Sequence, residues 1–289
     1  MKRIGRFLFC LLPLILTIVL QNLISIPICG ITAIVTVIKN NQTGISLDEL
    51  INELLSLWSD GTFLIFVSAV YAIAALVIFG YWYKKKLAST QERVAITSAF
   101  HPWIILALLL LSVGLQYVIS YLMNFIGMLR PDWMQSYSEL IDTAGIGTFS
   151  PLTIIYAILI APVSEELIFR GVTLGYAKKV LPVTGAICLQ AVLFGIFHLN
   201  MIQGIYAAIL GLFIGYLKEA GGSIAIPIVF HAFFNTFGSF ASAGMYYHME
   251  QPFFFLLWLT VGVLLTYAGI FLFQHGVAVR DQKAAEKQL

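Results

Sequence analysis

Long apolar stretches separated by short polar loops dominate this chain. A helix that crosses a hydrocarbon core about 30 Å thick needs about 20 apolar residues. Eight stretches read as such spans: Arg6–Ile38, Thr62–Tyr83, Pro102–Ile126, Pro151–Ala177, Leu181–Leu199, Met201–Leu217, Ser223–Ala243 and Phe253–Phe273. The first is long and predicts a kink at Pro13 or Pro27. It follows Met1-Lys2-Arg3 and has no small-residue cleavage site, so it reads as an uncleaved anchor. Between the first two spans, apolar residues at Ile45, Leu47, Leu50, Ile51, Leu54, Leu55 and Trp58 recur at helical spacing. That pattern predicts an amphipathic helix on the membrane surface or capping the bundle.

Composition narrows the class. The chain has 289 residues, of which 60% are hydrophobic and 10% charged, and its mean hydropathy is +0.93. Soluble domains carry about 25% charged residues, so the predicted fold is all-α, a polytopic transmembrane helix bundle. No basic surface for nucleic acid is apparent. Cys10, Cys29 and Cys188 fall in apolar segments without paired spacing, so neither a disulfide framework nor a thiolate metal site is indicated. Asn41-Gln42-Thr43 fits a glycosylation sequon, relevant only in a eukaryotic secretory pathway.

Charge placement fixes an orientation. Lys2, Arg3, Arg6, Lys84, Lys85, Lys86, Arg93, Lys178, Lys179, Lys218, Arg280, Lys283 and Lys287 fall on one predicted side. Only Lys39 and Arg130 lie opposite, among Asp48, Glu49, Glu53, Asp60, Asp132, Glu139 and Asp142. The basic side, with both termini, is expected to be cytoplasmic. Trp82, Trp103, Tyr246 and Tyr247 fall at predicted interfaces. Gly204, Gly211 and Gly215 are expected to permit close helix approach.

Three polar clusters interrupt the apolar pattern. These are Glu165, Glu166 and Arg170; Phe194 and His198; and His231 and Asn235. A charge at the bilayer centre costs about 2.5–3.5 kcal/mol on insertion scales, so such groups must pair, line a wet cavity or do chemistry. Glu166 and Arg170 are four apart and share a helix face, as do His231 and Asn235. Glu165 points about 100° away from Glu166. Counting about 1.5 Å per residue from each helix entry puts Glu165, His198 and His231 at similar depths. His198 reaches that depth only if its helix stops short, with a turn inside the membrane near Asn200, Gln203 and Gly204. Such a turn requires neighbouring protein or a cavity.

A carboxylate, two imidazoles and an amide around one cavity suit hydrolysis. A carboxylate partly withdrawn from water is suited to take a proton from a water molecule. Histidine and Asn235 can donate to a developing oxyanion, a contribution of about 3 kcal/mol per donor. The alternative is zinc held by Glu165, His198 and His231 with water in the fourth position, although no His-Glu-x-x-His segment is present.

The three clusters resemble those of the CPBP family of intramembrane proteases, also called the CAAX protease or Abi family. Glu165, Glu166 and Arg170 match Glu-Glu-x-x-x-Arg; Phe194 and His198 match Phe-x-x-x-His; His231 and Asn235 match His-x-x-x-Asn. On that resemblance, residues 151–243 form the catalytic core, 1–150 are amino-terminal spans without an assigned motif, and 244–289 hold the last span and a cytoplasmic tail. The resemblance implies peptide-bond hydrolysis in the membrane. Glu165 would be the water-activating base, assisted by His198. His231 and Asn235 would stabilise the oxyanion, and Glu166, Arg170 and Phe194 would support the site. The family is described both as metallo- and as glutamate-type. Few strong zinc ligands are present here, so the expectation is no cofactor, with zinc as the alternative. The expected partners are a membrane-associated peptide or protein substrate and the lipid bilayer. The expected location is a bacterial plasma membrane, with a role in bacteriocin immunity, peptide maturation or surface-protein regulation. A competing reading is a non-proteolytic scaffold that regulates a partner membrane protein. A proton-relaying transporter ranks last, because no inverted repeat is seen.

Overall fold

A computed structural model describes residues 5, 7–40, 44–143, 150–245 and 251–286, with side chains through residue 240 in the helix that ends at Met245. Lys2, Arg3, Arg6, the Asn41-Gln42-Thr43 sequon, Tyr246, Tyr247, His248 and Lys287 lie outside the described residues. All regular structure among the described residues is helical, and the chain is a multi-pass membrane protein. The longer helices are α1 (Leu12–Asn40), α2 (Leu47–Trp58), α3 (Gly61–Lys86), α4 (Pro102–Leu129) and α5 (Pro131–Thr143), followed by α6 (Pro151–Ala177), α7 (Val183–Phe197), α8 (Met201–Gly221), α9 (Ala225–Met245) and α10 (Pro252–Glu286), and short helical turns at Ala88–Gln91 and Ile96–Ser98 lie in the α3–α4 loop.

Among the described residues, six of these, α1, α3, α4, α6, α8 and α10, are long and apolar enough to cross a membrane. The expected span at Leu181–Leu199 appears as the shorter apolar helix α7, and that at Ser223–Ala243 as the 21-residue α9. Helix α7 has 15 residues and rises only about 22 Å, less than the hydrocarbon thickness. It ends in a tight reversal of the kind expected. Leu199 takes φ 54°, and Asn200 caps α8 by accepting from the Gln203 N–H at 3.1 Å. The two helices then run back together, and the smallness of Gly195 and Gly204 permits it. A Cβ on Gly195 would sit 2.5 Å from Gly204 O. Gly211 and Gly215 likewise meet Ala191 and Gln190, as their spacing predicts.

Helix α6 lies at the centre, packed by α1, α3, α7, α8 and α9. Helix α4 joins this group through α9 and carries α10 along its other side. The surface helix reads out as predicted. Helix α2 buries none of its residues, and Ser46 and Glu49 close a reciprocal capping box at its start.

The basic side assigned from the sequence forms one end of the bundle. Lys178 pairs with Glu219 at 2.8 Å, and Lys218 with Glu92 at 3.1 Å. Arg280 donates to Ala99 O at 3.1 Å and Gly221 O at 2.9 Å. Glu92, in the loop between α3 and α4, also accepts from Tyr83 OH and from the Ile224 N–H. That loop therefore ties α3, α8 and the start of α9 together. Arg130 pairs instead with Asp132 at the other end.

Candidate active site

The chain around Glu165 is helical because Pro151–Ala177 is apolar and near-continuous, but it is not wound uniformly. Tyr156–Ile160 and Leu167–Thr173 are π-wound, on either side of the α-helical Ala161–Glu166. Such winding is rare and frequently marks functional sites. It shifts the backbone ladder and leaves carbonyls for side chains to satisfy. Thr173 Oγ1 donates to Ile168 O and Gln91 Nε2 to Gly171 O, each at 2.9 Å, and Asn235 Nδ2 donates to Ala157 O at 2.8 Å.

The two glutamates have different surroundings. Glu166 is 0% exposed, and its Oε1 accepts from Arg170 Nη1 at 2.9 Å and from His231 Nδ1 at 2.8 Å. The expected Glu166–Arg170 pair is therefore present, with Arg170 also fully buried. Taking two charges out of water is repaid only by close geometry and further hydrogen bonds. Arg170 gains a second contact from the Phe194 ring, 4.4 Å from its guanidinium carbon. Glu165 keeps 16% exposure, and its Oε2 lies 3.8 Å from His231 Nε2. His231 thus bridges the doublet, one nitrogen to each carboxylate.

A carbonyl can only accept, so the 2.8 Å contact of His198 Nδ1 with Phe194 O makes Nδ1 the donor. In the neutral ring, Nε2 then carries the free lone pair. His198 is half-buried and lies edge-on to Phe194 at 4.8 Å and Phe197 at 5.3 Å. Phe194 also meets the His231 ring at 6.0 Å. This one phenylalanine therefore contacts both imidazoles and Arg170, and it forms the apolar floor on which the three sit. Asn235 shares the α6-facing side of α9 with His231, one turn further along, and its amide is engaged by Ala157 O.

The zinc alternative was a set of Glu165, His198 and His231. Among the described residues no three His, Cys, Asp or Glu side chains group as metal ligands. Each imidazole holds its Nδ1 in a hydrogen bond, His231 with Glu166 and His198 with Phe194 O, which leaves Nε2 as the nitrogen that faces any partner in the site.

Sequence reasoning missed Gln91, Pro162, Tyr71 and Tyr156. Tyr71, from α3, and Tyr156 both lie within electrostatic reach of Glu165. Tyr71 sits in residues 1–150, where no motif is recognisable. Only Pro162, a proline three residues before Glu165 in an apolar run, carried a signal.

Residues 147–237 match the family model described as type II CAAX prenyl endopeptidase Rce1-like. The match contains all three polar clusters and supports a hydrolase of the protease class. No curated protein and no solved structure matches.

Proposed function

On the match of residues 147–237 to that family model, we propose that this chain is a metal-free intramembrane endopeptidase of the CPBP, or CAAX protease, family. Glu165 takes a proton from a water molecule whose oxygen attacks the scissile carbonyl carbon, and His198 Nε2 orients that water. His231, carrying a proton on each nitrogen, donates through Nδ1 to Glu166 and through Nε2 to the oxyanion of the tetrahedral intermediate. The proton held by Glu165 passes to the leaving nitrogen, the C–N bond breaks, and a carboxylate and an amine are released. Glu166 and Arg170 hold His231 from behind. The substrate is the carboxyl-terminal region of a membrane-associated protein, and the family description makes a prenylated CAAX peptide the first to try. A bacterial plasma-membrane role in bacteriocin immunity, peptide maturation or surface-protein regulation fits the chain's short loops.

One observation supports this reading above the others. His231 is held between a sealed glutamate and an accessible one, which is how a base and an oxyanion donor are set side by side. The test uses purified protein in nanodiscs with a quenched prenylated CAAX peptide and an unmodified membrane-inserted peptide, each with and without chelator. Cleavage that survives chelation and disappears with Glu165→Gln and His198→Ala is expected. Activity lost on chelation and restored by zinc would reject the metal-free mechanism. A physiological phenotype that persists with both substitutions would favour the scaffold reading.

A further inference from the structure

Pro162 stands three residues before Glu165 in the middle of an apolar helix, where proline removes a backbone donor. The turn in front of it is π-wound, and the Ala161 N–H reaches Tyr156 O, five residues back. The next rung of that ladder would run from residue 162 to Ala157 O. Proline has no N–H to make it. Asn235 Nδ2 donates to that carbonyl at 2.8 Å. At membrane depth an unpaired carbonyl finds no water to replace the bond.

We infer that Asn235 is a positioning residue: its amide replaces the N–H missing at Pro162 and thereby fixes the register in which α6 presents Glu165. Helix α9 then grips α6 on both sides of Glu165, through His231 at Glu166 and through Asn235 at Ala157. The assignment gives Asn235 a task other than donation to the reacting oxygen. Its effect on turnover rests on the proteolytic reading above, whereas its effect on the helix does not.

A double-mutant cycle separates the two. Pro162→Ala restores a backbone N–H that can bond Ala157 O. In nanodiscs with the prenylated CAAX peptide, Asn235→Ala should lower kcat roughly 100-fold in the Pro162 background with KM little changed, the scale of a misplaced catalytic group. In the Pro162→Ala background the same substitution should cost less than about threefold. Asn235→Asp, similar in size but without the donor when ionised, should behave as Asn235→Ala. Equal losses in both backgrounds would overturn the inference and return Asn235 to the reacting atoms. Should no peptide be cleaved by the unaltered protein, the proteolytic reading fails first, and thermal midpoints in detergent read the same cycle. Coupled midpoint losses support the Pro162–Asn235 exchange and additive ones reject it. If Asn235→Ala fails to fold only beside Pro162, the inference stands; failure in both backgrounds overturns it.

Discussion

Adjacent residues of one chemical type separate here into chemistry and architecture. Glu165 retains 16% exposure, while Glu166 is closed off and shared by Arg170 and His231. Glu165→Gln should therefore abolish peptide cleavage while leaving the thermal midpoint in detergent nearly unchanged. Glu166→Gln should lose both, because breaking a buried ion pair by removing one partner costs about 3–5 kcal/mol. Combining Glu166→Gln with Arg170→Met should recover much of the midpoint, since no uncompensated charge remains buried. It should not recover turnover, because His231 has lost its anchor. Midpoints and cleavage rates on the same preparations decide this.

At the scale of elements, α6 depends on neighbours for the backbone bonds its π winding leaves open. Gln91 lies outside the matched segment yet donates to Gly171 O from the α3–α4 loop. Gln91→Ala should lower both midpoint and kcat. A Cβ at Gly175 would fall on the Gln91 amide, so Gly175→Ala should resemble Gln91→Ala, and the pair should be far from additive. The α4–α10 contact offers a cleaner packing test. A Cβ on Gly114 would stand 2.6 Å from Thr266 N and 2.9 Å from Gly262 O, backbone atoms that cannot swing aside. Gly114→Ala should cost about 1–3 kcal/mol by overpacking. Gly30→Ala, with nothing within 4 Å of the new carbon, should be tolerated. Denaturation midpoints of the two variants make the comparison.

For the whole molecule, the cations assigned to one side share one end of the bundle. Lys178, Lys218, Arg280 and Lys283 gather there with Glu92, Glu219 and His101, while α2 and α5 lie at the other. In a cysteine-free background, single cysteines at Ser89 and Gln282 should label only from the cytoplasmic face. One at Gln135 should label only from outside. Labelling of Ser89 and Gln282 from opposite faces would reject the shared-side topology.

The apolar runs, the positive charges and the three polar clusters were legible in the sequence because each follows from a local rule: hydrocarbon thickness, the charge bias of loops, and the cost of charge in lipid. Helical spacing even fixed which partner Glu166 would meet four residues on. Tertiary packing decided the rest. Pro162 marks one missing backbone donor in residues 151–177, but no pattern there announces the extent of the π winding, whose displaced carbonyls accept from Gln91, Thr173 and Asn235. Nor does spacing alone tell that His231 bridges the two glutamates, or that one phenylalanine floors both imidazoles. Those contacts join helices far apart in sequence, and a side chain's partner across a helix interface is set by how the helices cross, which local periodicity does not encode.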